Sequence, residues 1–74
     1  MHIVNTDLNR RGAGASIIVN IGKFEKKPVF SDTVKMIDGE DVLYGVIIAV
    51  YEHNKHVLVK PAKNYEELSK QVQL

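Results

Sequence analysis

With 74 residues and no cysteine, the chain has room for one small domain and excludes a disulfide framework or a thiolate metal site. Ten basic side chains against nine acidic ones leave a net charge of +1, so no global field draws it to nucleic acid or to a membrane surface. A core this small gains from oligomerisation or a partner, and the start lacks the basic-then-apolar pattern of a secretory leader. The expectation is a cytoplasmic, cofactor-free protein with no membrane segment.

Residues 1–5 (MHIVN) read as a short edge strand, and residues 6–15 (TDLNRRGAGA) as a mobile loop without apolar periodicity. Together they form a flexible lead of residues 1–15 ahead of a barrel predicted over 16–74, all one domain. Arg10 and Arg11 have the charge to clamp a phosphate, and Gly12 and Gly14 would let the backbone approach it. Phosphate-cradling loops feed a helix N-terminus, however, whereas this one runs into a strand, which favours a solvated connector. That strand, residues 16–24, carries Ile17, Val19 and Ile21 on one parity and Ile18, Asn20 and Phe24 on the other, with Gly22 marking a bulge or a sharp coil. Residues 25–28 (EKKP) form a charged turn in which Pro28 stops pairing and Lys26 and Lys27 make a small basic patch.

Residues 29–37 alternate as a strand with Phe30, Val34 and Met36 on one face. The acidic turn of residues 38–41 follows, where Gly39 is free to take a positive φ. Its three carboxylates read as a solvated turn, since a divalent-cation loop needs more oxygen ligands at regular spacing. Residues 42–51 (VLYGVIIAVY) are the centre of the chain. Val42, Tyr44, Val46, Ile48 and Val50 lie on one parity and Leu43, Gly45, Ile47, Ala49 and Tyr51 on the other, so the strand is apolar on both faces and needs a cover on each. Residues 52–55 (EHNK) make a tight hairpin with Asn54 suited to a left-handed conformation. Residues 56–60 return with Val57 and Val59 pointing inward, until Pro61 ends the pairing. Asn64 and Glu67 have capping-box spacing, and Tyr65, Leu68 and Val72 helical spacing, which predicts a short helical turn over 65–70 and leaves 71–74 for a last strand.

From Asp32 to Lys60 the order of elements resembles the KOW-type, SH3-like small barrels of ribosomal large-subunit proteins and transcription-elongation factors. Asp32, Val34, Met36, Gly39, Gly45, Ile47, Val50, Val57 and Val59 stand at the positions of that pattern. The resemblance implies a mainly β, mostly antiparallel barrel whose core holds Val34, Met36, Ile47, Val50, Val57 and Val59. It also implies a nucleic-acid partner. Three features depart from it: the acidic Glu40 and Asp41 in a loop the family fills with lysine and glycine, Val46 and Ala49 where polar groups are usual, and a leading segment of residues 1–28 without a counterpart.

Three function classes follow. The first is a non-enzymatic interaction module that self-associates or docks on a protein partner through Ile17, Val19, Ile21, Val46, Ile48 and Leu58, in a size that would suit an accessory protein of a phage or mobile element. The second is a weak RNA- or DNA-binding module using Arg10, Arg11, Lys23, Lys26, Lys27, Lys60 and Lys63. The third is a small enzyme with a pocket at an oligomer axis. No nucleophile motif supports catalysis, and His53 and His56 flank a turn with no third metal ligand in a predictable place. Apolar surface is plentiful while basic surface is scattered and balanced by acid, which favours the first class.

Overall fold

A computed structural model describes residues 1–12 and 14–62 of the chain. Five strands form one sheet: β1 (His2–Asn5), β2 (Ile17–Asn20), β3 (Thr33–Asp38), β4 (Asp41–Tyr51) and β5 (His56–Pro61). Their spatial order is β1-β3-β4-β5-β2. Three pairs are antiparallel, while β1 runs parallel to β3 with Val4 opposite Met36. The two outermost strands, β1 and β2, contribute Val4 and Ile17 with Val19 to a single buried cluster that also holds Val34, Met36, Ile47, Val57 and Val59. A flat sheet cannot bring its opposite edges to one core, so the sheet curls strongly into a barrel-like shell. Each of these side chains, once buried, contributes about 1.5–3 kcal/mol.

β4 organises this shell. Ile47 faces Val59 and Val50 faces Val57, although three positions separate them and a regular strand would turn them to opposite sides. The register shifts between Ile47 and Ala49, so Ile48 is the additional residue of a β-bulge and both neighbours reach the core. Val50 is only partly buried there. Gly45 lets β5 cross closely: a Cβ built on it would sit 2.5 Å from Val59 Cγ1 and 2.7 Å from the Lys60 carbonyl oxygen. Gly39 takes φ +61° at the first central position of the β3–β4 turn, the requirement of a type II′ hairpin. In the β4–β5 hairpin the left-handed residue is Lys55, at φ 57°, and not Asn54.

Four segments differ from their sequence reading. The strand expected over 16–24 stops at Asn20, whose side-chain oxygen accepts the Gly22 N–H and starts a 3-10 turn, Ile21–Lys23, in place of a bulge. The strand expected from residue 29 begins at Thr33. Before it, Asp32 Oδ2 accepts the Val29 N–H and Ser31 takes φ 71°, so residues 29–32 are a turn and Phe30 is turned out to solvent, 67% exposed. The loop after β1 is no free connector. Leu8 packs on the core, the Leu8 N–H donates to Asp38 Oδ2, Arg11 bridges to Ile17 and the Ile18 N–H donates to the Arg10 carbonyl. Finally, β1, expected only as an edge strand, is the one parallel member of a described sheet that is otherwise antiparallel. The helical turn over 65–70 and the strand over 71–74 lie outside the described residues. Among those described, no helix is long and apolar enough to cross a membrane.

Candidate interaction surface

Alternation along each strand sorts the side chains into a core face and an outward face. On the outward face the register lines up Ile3, Lys35 and Tyr44 in one row across β1, β3 and β4, and Asn5, Ile37 and Val42 in the next. Ile3 is 63% exposed and Val42 46%, while Ile37 and Tyr44 are half-buried. Lys35 is the one charged side chain in these two rows. Val46 continues the face toward β5 but is buried beside Ala62 and Tyr44, and the Ala62 N–H donates to the Tyr44 carbonyl. The open apolar surface is thus shifted toward β1, away from the middle of β4.

One end of β1 is pinned. His2 Nε2–H donates to Asp32 Oδ2 at 2.8 Å, and the Phe24 ring stands edge-on against the imidazole at 5.1 Å between centroids. Partial burial pushes the Asp32 carboxyl up, but the hydrogen bonds from His2 and the Val29 N–H outweigh it and hold the group below its ordinary value of 3.8. Met1, His2, Ile3, Glu25, Lys26, Asp32 and Thr33 line a cleft of about 400 Å³ beside this pair. Met1 and Ile3 in its lining expose more than half of their surface.

The residues proposed from sequence as an interface are not brought together. Ile17 and Val19 are wholly buried within the chain's own core and offer no surface to a second molecule. Ile21 packs partly on that core. Val46 and Leu58 keep 7% of their surface each, and Gly12 lies so close to Leu58 and Ile18 that a Cβ there would be 2.7 Å from Leu58 Cδ2. Ile48, the bulge residue, alone among the six stays open, at 41%. The outward face is therefore covered in part by the chain itself, at Leu58 and Ile18 by the segment around Gly12 and at Val46 of the central strand by Ala62.

The described basic side chains proposed from sequence as nucleic-acid contacts fall into two groups at opposite ends of β2. Arg10 and Arg11 lie along its start, where Arg11 bridges to Ile17 and donates to the Ala15 carbonyl at 3.4 Å, with Lys60 on the neighbouring strand. Lys23, Lys26 and Lys27 follow its other end, where Lys27 pairs with Glu52 at 2.6 Å and holds that carboxyl below its ordinary range. Glu25 stands within the second group. Lys63 lies outside the described residues. The surface at Ile3 and Val42 was missed because a four-residue strand gives too little alternation to decide its faces, and nothing local signals a parallel mate 32 residues away. Comparison with known protein families, with curated proteins and with solved structures finds no match to this chain.

Proposed function

We propose that the chain is a non-enzymatic interaction module that docks on protein through the outward face of β1, β3 and β4. The observation that supports this is the pair of apolar rows in which Ile3, Ile37, Val42 and Tyr44 surround a single charge, Lys35. Leaving this surface in water forgoes ~25 cal/mol for each Å² that could be buried, and contiguous patches of this kind mark interfaces. The curled sheet is compatible with an SH3-like barrel, and the register of Val34, Met36, Ile47, Val50, Val57 and Val59 on its core side supports that assignment. Phosphate binding is less favoured, since the two basic groups are separated by the length of β2 and one carries its own carboxylates.

A photo-crosslinking side chain at Val42 tests the reading. Placed there in cells of the native host, it should trap a protein, either a second copy or a different one, whereas the same group at Glu52 should trap none. Equal trapping at both positions, or none at Val42, removes the proposal. Val42→Lys should abolish association through this face while melting within ~0.5 kcal/mol of the parent, because the residue is exposed.

A further inference from the structure

The backbone of β1 specifies more about the partner than its side chains do. In a parallel pair, alternate residues of a strand direct both their N–H and their C=O toward the neighbour. The Thr6 N–H donates to the Ile37 carbonyl, which fixes the parity. Val4 and His2 share that parity and turn to β3, so Ile3 and Asn5 turn their N–H and C=O groups to the other side, where no described strand lies. An open edge of this kind is completed by an extended backbone. The usual protections are weak here: the strand has no proline, no bulge and no inward charge, and only its shortness limits it. The His2–Asp32 hydrogen bond and the Phe24 ring hold the start of β1 in place, so the edge is preorganised.

We infer that this edge pairs antiparallel with β1 of a second copy of the chain, an inference that rests on the docking role of the β1 side of the sheet. A two-fold axis beside Val4 sets Ile3 opposite Asn5 of the copy and Asn5 opposite its Ile3. Every outward N–H then meets a C=O, from one residue set used twice. Across such a pair opposing side chains share a face, so the outward row of Ile3, Lys35 and Tyr44 continues into the row of Asn5, Ile37 and Val42 of the copy, and the reverse. A net charge of +1 per chain gives two copies little reason to repel. Four residues of edge bury much less than the ~1,200 Å² of a tight complex, so the dimer forms only at high concentration.

The test is a dilution series from roughly 1 mM, a range that resolves weak association, followed by sedimentation and by amide hydrogen exchange. The mass should double with concentration, and the Ile3 and Asn5 amides should become protected as it does. Ile3→Pro removes one outward N–H without touching the ladder to β3, and Ile3→Lys adds a charge to the edge. Each should weaken the dimer at least about tenfold, and the lysine variant decides if the proline variant does not fold. Val42→Lys should leave edge pairing in place. Loss of the dimer in Val42→Lys but in neither Ile3 variant overturns edge pairing while leaving the docking role intact. A chain that is monomeric throughout, or whose Ile3 and Asn5 amides are already protected as a monomer, overturns it too. Trapping of a different protein at Val42 would then show that the docking role survives alone.

Discussion

At the scale of single residues, Ile47 and Gly45 carry the most risk. Ile47 is fully buried where β3, β4 and β5 meet, its N–H donating to the Asp32 carbonyl and its own carbonyl accepting from Ser31. Ile47→Ala should destabilise by ~2–5 kcal/mol, a large share of what so small a domain has. Chemical denaturation would read it, and a loss under ~1 kcal/mol would mean that the site collapses around the cavity. Gly45→Ala sets a methyl against a backbone carbonyl and should cost ~1–3 kcal/mol or more, whereas Gly12→Ala meets only side-chain atoms, of Leu58, Ile18 and Ser16, and should cost less. Equal melting of the two glycine variants would contradict that ranking. Asp32 gives a pH effect whose sign follows from its lowered pKa. Its contribution is present above the unfolded value near 3.8 and is lost as pH falls through the lower folded value. Acid titration of stability below about pH 4 should therefore be shallower in Asp32→Asn than in the parent.

At the scale of elements, the sequence was informative where patterns are local. The β3–β4–β5 meander follows from alternation, from Gly39 in its first turn and from the both-sided apolar run of β4; β4 and β5 lie where the periodicity put them, while β3 keeps only the second part of its expected span. The expected joint inward placement of Ile47 and Val50 holds because the bulge at Ile48 repairs the parity. Misreadings arose where a side chain captured the backbone. Asn20 ends β2 by accepting the Gly22 N–H, and Asp32 folds residues 29–32 into a turn by accepting the Val29 N–H. Both are short polar residues competing with the ladder, a signal present in the sequence but equally compatible with a strand face. Phe30 shows the cost of that ambiguity: alternation placed it inward and the turn sends it out.

At the scale of the whole molecule, strand order was not legible, since nothing in residues 1–20 states which edge each strand will join. Ile17 and Val19, expected at an interface, were misplaced for the same reason: once β2 pairs with β5, they become core. That order also has a consequence for how the molecule is made. Of the five strands, the two that come first in the sequence sit on opposite edges, and each needs a mate encoded later, β3 for β1 and β5 for β2. β1 cannot settle until β3 has emerged, nor β2 until β5 has, so the nascent chain carries the apolar stretch Ile17–Val19 unpaired while residues 20–61 are made. Contacts closed over such long separations form slowly and are exposed to misassociation meanwhile. The β3–β4–β5 meander, whose pairings are local, is thus the template on which the N-terminal third of the described chain is the last part to find its place.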